Sequence, residues 1–210
     1  MSDARLLINP QSGNHQTIIT ADLRSYVPGG VTADIVYVDP PWNPATGRYF
    51  SQDSGPYQFE AFLDSLCEHV SLVSGTKHIL CEQSAIALHR DLFESAVARC
   101  GSWRMPMINE YSVRYGRLAA PGLNVLLHYG VEPLTTDPSG LHGADMTREV
   151  FRGLGPLSGK TVFDPCVGLG MTSRMAHEFG MNCVGIELRH DRAQRTIQWL
   201  ERRGYEDRGK

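Results

Sequence analysis

"TVFDPCVGLGMTSRMAHEFGMNCVGIE", residues 161 to 187, decides the fold. A β-branched and aromatic run meets Asp164-Pro165, and proline has no N–H to continue a sheet ladder, so a strand stops there. Gly168 and Gly170 then allow a tight turn and close approach of the backbone to a ligand. A helix is predicted from about Thr172 to Phe179, followed by a second strand, "NCVGIE", ending on Glu187, 23 residues beyond Asp164. Strand, glycine turn, helix and strand with an acid at its tip form a βαβ nucleotide site, where the acid takes ribose hydroxyls. The third glycine of the dinucleotide fingerprint is missing, because Ser173 and Arg174 follow, so a pyrophosphate on the helix end is not expected. On a purely structural reading, the same residues make a tight turn with a buried Asp164 capping the helix.

Upstream, strand-like and helix-like segments alternate, which predicts an α/β protein with a largely parallel sheet. Strands are expected at "TIIT" (17–20), "ADIVYV" (33–38), "KHILCE" (77–82) and "NVLLHYG" (124–130). Helices are expected at "QFEAFLDSLCEHV" (58–70), with Phe59, Phe62, Leu63 and Leu66 on one face, at "AIALHRDLFESAVAR", and at "TREVFRGLG", closed by Gly153 or Gly155. The loops at 44–57 and 134–145 are long and rich in turn residues, as functional or mobile loops usually are.

A second stretch, "VYVDPPWNP" (36–44), ends another strand on Asp39-Pro40-Pro41-Trp42. The two prolines stop the ladder and leave an acid and an indole at its mouth. An ordinary turn would place Gly, Asn or Asp there instead.

The 210 residues suit one sizeable domain, or at most two small ones, and 41% hydrophobic content can bury a core. A net charge of -3 and a pI near 6.2 give no global basic field, against a strong non-specific nucleic-acid binder but not against a local basic patch. The five scattered cysteines form no CxxC or Cys/His cluster, so reduced thiols in a cytoplasm are expected, without disulfide frame or zinc. The eight histidines lack metal-ligand spacing, and no catalytic metal is expected. No apolar run reaches membrane-spanning length and no signal-peptide layout opens the chain, so a cytoplasmic protein without membrane partner is expected.

The glycine-turn segment resembles the S-adenosylmethionine motif of the amino-methyltransferases, close to "DPFxGSGTT…GIE". With the DPPW tetrapeptide first and the cofactor motif last, the order is similar to that of the permuted beta class of adenine-N6 and cytosine-N4 DNA methyltransferases. The resemblance covers about Thr17 to Glu187, with "TIITADLRSYVPGGVTADIVYVDPPW" as opening strand, helix and catalytic strand, and "LHGADMTREVFRGLGPLSGKTVFDP" preceding the cofactor strand. The chain departs from the pattern at Cys166, Leu169 and Met171, where Phe, Ser and Thr are usual, and at "HGADM", where "HPTxKP" is more common. A large target-recognition segment is missing, leaving residues 103–123 and the 44–57 loop to reach a substrate.

The resemblance implies a single Rossmann-like methyltransferase domain over 1–210, circularly permuted, with a mostly parallel seven-stranded sheet. Its catalytic half spans 17–130 and its cofactor half 141–200. It implies S-adenosylmethionine held by Asp22, Asp164, Pro165, Cys166, Gly168, Gly170, Thr172, Glu187 and Leu188. Asp22 could equally N-cap an "LRSYV" helix, and Leu188 could be an ordinary strand-end residue. The catalytic residues are Asp39, Pro40, Pro41 and Trp42: the Asp39 carboxylate and the Pro40 carbonyl accept from an exocyclic amine while Trp42 stacks a flipped base. Arg48, Tyr49, Arg104, Arg114 and Arg117, with Tyr57, Trp103, Tyr111 and Tyr115, suit phosphate contact and stacking, or else a solvated face. The expected activity is methyl transfer to adenine N6 in duplex DNA, as a monomer, a homodimer or with a partner. Cytosine-N4 transfer, RNA adenine methylation and a silent nucleic-acid-binding subunit stay open.

Overall fold

Four of the apolar runs that end in an acid lie side by side in one sheet, which a computed structural model places at the centre of the chain. The structure describes residues 3–26, 29–41, 58–84, 91, 95–96, 98, 105–113 and 124–208. The strands are β1 (Asp3–Ile8), β2 (His15–Thr20), β3 (Ile35–Val38), β4 (His78–Ser84), β5 (Met107–Val113), β6 (Asn124–Gly130), β7 (Thr161–Asp164), β8 (Asn182–Glu187) and β9 (Glu206–Asp207). The helices among the described residues are α1 (Phe59–Leu72), α2 (Gly143–Gly153), α3 (Met171–Glu178) and α4 (His190–Glu201).

The sheet runs β5-β6-β4-β3-β7-β8-β2-β1-β9. Its middle, β4-β3-β7-β8-β2, is parallel, because each connection crosses over through a helix or a long segment. β6 runs antiparallel between β4 and β5, and β1 runs antiparallel between β2 and β9. The expected seven strands are therefore nine among the described residues. Seven contiguous strands from β5 to β2 form the expected sheet, and β1 and β9 extend it past β2. The short "ARLLI" run and the two-residue β9 carry too little pattern to announce a strand pair.

Alternation along the strands divides the core. On one face α1 packs Phe59, Phe62, Leu63, Leu66 and Val70 against Val36, Val38, Ile79 and Phe163. On the other, α2 and α3 pack Met146, Val150, Phe151 and Met175 against Ile35, Tyr37, Leu80 and Val162. α4 covers β1 and β2 on that second face with Ala193, Ile197 and Leu200. Burying the large side chains Phe151 and Phe163 contributes roughly 1.5–3 kcal/mol each before entropy is counted.

Three local expectations change. Among the described residues after Asp22 there is a single turn, Leu23–Ser25, and no helix: the Asp22 carboxylate accepts the Arg24 N–H at 3.0 Å and its carbonyl the Tyr26 N–H at 2.9 Å, a capped turn. The 103–123 stretch is not all loop, since Met107–Val113 form edge strand β5 and Tyr111 packs on the core. The 134–145 loop ends earlier, because α2 begins at Gly143; that helix closes just before Gly155, which takes a φ of 85°. The helix expected around 85–99 falls largely outside the described residues.

Candidate active site

Because β3, β4, β7 and β8 are parallel, their carboxyl ends meet along one edge of the sheet. In register, Val38 pairs with Cys81, Val36 with Phe163 and Asp164 with Gly185. One step on along each strand, Asp39 lies beside Glu82, and Asp164 and Glu187 follow on the same face as Tyr37. Four carboxylates thus share one rim of the sheet, on the side covered by α2, α3 and α4.

The glycine turn is tied from beneath by Asp164. Its carboxylate accepts the Cys166 N–H at 2.8 Å and the Thr172 hydroxyl, binding the turn to the first residues of α3. Asp164 is only 3% exposed, so its part is to shape the turn. Gly168 and Gly170 have φ of 58° and 78°, a region costly for any side chain. A Cβ on Gly170 would also lie 2.6 Å from Thr196 Cγ2, so α4 crosses directly behind the turn. Pro165 is buried and Cys166 half-buried beside it.

Glu187 ends β8 with Oε1 accepting the Arg189 N–H at 2.8 Å, and the Gly168 N–H also reaches its carboxylate. Arg192 of α4 stands over it, Nε 3.7 Å from Oε2. The Ala21 N–H donates to the Glu187 carbonyl at 3.0 Å, which brings the end of β2 and Asp22 beside this acid. Both Asp22 oxygens are engaged by Arg24, Nη2 to Oδ2 at 2.6 Å. Burial works to raise the Asp22 pKa, but those bonds outweigh it and hold it below the ordinary value. Leu188 is half-buried at the same corner.

The acids at the centre behave differently. Withdrawal from water, with the Asp39 and Glu187 charges, pushes Asp164 up to about 7 despite its hydrogen bonds. Burial and the neighbouring Glu82 push Asp39 well above the ordinary carboxylate range, against the pull of Arg192. Glu82 is pushed up to about 7 by burial and Asp164, while the Tyr37 hydroxyl donates to it and opposes the rise. Glu187 rises through burial, moderated by the Arg189 N–H and by Arg192. Such a rim favours a ligand that brings positive charge. Among the described residues no group of three or more His, Cys, Asp or Glu is arranged to hold a metal ion.

Asp39, Pro40 and Pro41 sit at the mouth of β3, with Pro40 buried and the other two half-buried. Trp42, Arg48, Tyr49, Arg104, Arg114 and Arg117 lie outside the described residues, as do Tyr57, Trp103 and Tyr115. Sequence reasoning passed over Tyr37, Glu82 and Arg192. The signal for Glu82 was present: "VYVD", "ILCE", "VFD" and "VGIE" are four apolar runs that each end in an acid. Cys67, Cys81, Cys166 and Cys183 are free thiols, and among the described residues no helix is long and apolar enough to cross a membrane.

No family model and no curated protein matches the chain by sequence. Solved structures do match. M1.HpyAVI aligns over 88% of this chain and 98% of its own, with a TM-score of 0.60 and 16% identity, and its complex with SAM aligns at 0.58. A Thermus thermophilus protein complexed with S-adenosyl-L-methionine aligns over 88% of this chain and 93% of its own, at 0.57 and 14% identity. The cytosine-N4-specific PvuII DNA methyltransferase aligns over 87% and 85%, at 0.59 and 10% identity. At these identities the likeness is one of fold: the chain has the α/β architecture of these enzymes, over nearly their full lengths.

Proposed function

We propose that this chain transfers a methyl group from S-adenosylmethionine to the exocyclic N6 amine of adenine in DNA. The observation that carries the reading is the juxtaposition of a glycine cradle, a ribose-directed acid and an Asp-Pro-Pro corner on one acidic rim. Glu187, with the Gly168 and Gly170 backbone, suits an adenosine ribose. The raised acids Asp39, Glu82 and Asp164 suit a sulfonium, whose positive charge offsets their mutual repulsion. The complexes of fold relatives with this cofactor support the same choice.

When bound, the cofactor would supply an electrophilic methyl group. The chain's own part is to prepare the nucleophile. An exocyclic base amine has its lone pair delocalised into the ring. The Asp39 carboxylate and the Pro40 carbonyl are two acceptors for its N–H groups, and they favour the pyramidal nitrogen that develops during attack. The prolines fix that geometry before substrate arrives. No covalent enzyme intermediate is required.

Adenine rather than cytosine rests on Asp39, because the cytosine-N4 enzymes that the chain resembles more often carry Ser at that position. The PvuII enzyme's likeness keeps cytosine N4 as the second reading. Incubation of the chain with labelled cofactor and DNA or RNA, followed by mass identification of the modified nucleoside, tests both. N6-methyladenine in DNA is the expected product. N4-methylcytosine would establish the second reading, modification of RNA alone would move the substrate class, and no transfer would overturn the proposal.

A further inference from the structure

Resting on the methyl-transfer reading, we propose that Glu82 is a positioning residue whose carboxylate, held by Tyr37, receives through Asp39 the proton shed by the methylated amine. The geometry comes from the β3–β4 ladder. Val38 pairs with Cys81 in parallel, so Asp39 and Glu82 stand side by side with both side chains on the Tyr37 face. The Tyr37 hydroxyl donates to Glu82 Oε1. Tyr37 is itself fixed: it is 2% exposed, packs on Phe151 at 5.9 Å between ring centroids, and lies 3.4 Å from Thr147 Oγ1. Thr147 in turn donates to the Gly143 carbonyl at 3.0 Å, which anchors the set to α2. A tyrosine buried to hold one carboxylate beside another is a costly arrangement unless that carboxylate has work to do.

The reaction needs an outlet for a proton. The amine lone pair forms the new N–C bond, and the bond from the methyl carbon to the donor sulfur breaks with its electron pair left on sulfur. The nitrogen is then cationic and loses one proton, recovering the N–H electron pair. Asp39, already accepting that N–H, takes the proton and passes one to Glu82. The sulfonium charge and the Glu82 charge both vanish, so the rim ends the cycle with one negative charge fewer and no extra cation.

Tyr37 on β3 and Asp164 on β7 share the face of this pair, while Cys81 on β4 and Cys166 in the glycine turn, packed toward the other face, couple to it through charge alone. Arg192 of α4 acts on Asp39. β6 places Leu126 opposite Glu82, and α2 contributes the uncharged Thr147. Among them, burial and Asp164 push Glu82 up to about 7 while Tyr37 opposes the rise, which suits a proton acceptor working near neutrality.

Glu82→Gln keeps the size of the side chain and an oxygen for Tyr37, and removes only the charge. Its affinity for S-adenosylmethionine should stay within about twofold of wild type, while kcat falls by at least about tenfold. The acid limb of its pH–rate profile should move to lower pH, because Asp39 loses a like-charged neighbour. Tyr37→Phe keeps the charge and removes the hydrogen bond, so its limb should move to higher pH with a smaller loss of kcat. A folded Glu82→Gln chain with wild-type kcat and an unmoved limb overturns the inference. If Glu82→Gln does not fold, Tyr37→Phe decides: a limb that stays or moves down overturns it equally. Wild-type chain that methylates no nucleic acid sinks the methyl-transfer reading and this inference together, whereas active wild type with indifferent variants sinks this one alone.

Discussion

At the amino ends of β3, β4 and β7, Asp34 accepts the Thr161 N–H at 3.0 Å and pairs with Lys160 Nζ at 3.2 Å. Nearby, His78 Nδ1 and His128 Nε2 meet at 3.0 Å, and burial lowers both pKa values, that of His128 to about 4, so neither ring carries a charge at neutral pH. At the carboxyl ends of the same strands, Asp39, Glu82 and Asp164 crowd together and push one another toward protonation. One end of the sheet matches its charges and the other accumulates like charge. Crowded, desolvated acids cost stability, so they mark where the fold serves a ligand rather than itself.

Removing Asp39 should break that contrast most sharply. Asp39→Ala should lower turnover on the order of a hundredfold or more, as loss of one preorganised acceptor does. Because it also removes like charge from the rim, its thermal unfolding midpoint should not fall. Near-normal turnover would remove Asp39 from the chemistry. Glu187→Ala should act on binding instead. Loss of charge-assisted bonds to two ribose hydroxyls costs roughly 1.5–3 kcal/mol, about tenfold to a hundredfold in Kd. Calorimetric titration of the folded variant checks this, and an unchanged Kd would take Glu187 out of the cofactor site.

The end of the sheet proposed to do chemistry was the more legible one. Asp39 and Glu187 stood out because proline and glycine punctuate the chain beside them, and turn chemistry is local. The central strands and α1 were legible from their own periodicity. What stayed hidden was made by pairing between distant segments. Glu82 can be read as the acid closing an apolar run, but its place beside Asp39 is set only by the register of β4 with β3. Arg192 is one of several charges on a polar helix, and only the crossing of α4 behind Gly170 brings it to Glu187. β5 read as substrate loop because an edge strand with Asn109, Glu110 and Ser112 lacks an apolar run.

The two ends should also differ in how pH acts on stability. Glu82 and Asp164 have folded pKa values of about 7, above their ordinary 4.5 and 3.8. The native state therefore binds more protons than the unfolded chain between about pH 4 and 7, and stability falls as pH rises through that window. The ligand-free chain should melt at a lower temperature at pH 8 than at pH 5, by about 2–4 °C for each kcal/mol lost. Asp164→Asn, whose amide can still serve Cys166 and Thr172, should flatten this slope. Melting curves for both chains across that range are the measurement, and parallel slopes would show that Asp164 ionises normally.

Asp34, at the paired end, should give the smallest effect and the opposite sign. Burial works to raise its pKa, but the Thr161 N–H and Lys160 outweigh it and hold the carboxylate below its ordinary 3.8. A depressed folded pKa contributes stability that is present above the unfolded value and lost as pH falls through the folded one. Asp34→Ala leaves the Thr161 N–H without its acceptor, and its partly exposed pair with Lys160 adds little. The expected loss is about 1 kcal/mol at neutral pH, shrinking below about pH 4, with methyl transfer unchanged because Asp34 lies at the far end of the strands. Melting at pH 7 and pH 3, beside a transfer assay, separates the two ends. A fall in transfer without a fall in stability would show that the amino ends also serve the chemistry, and the division of labour along the sheet would be wrong.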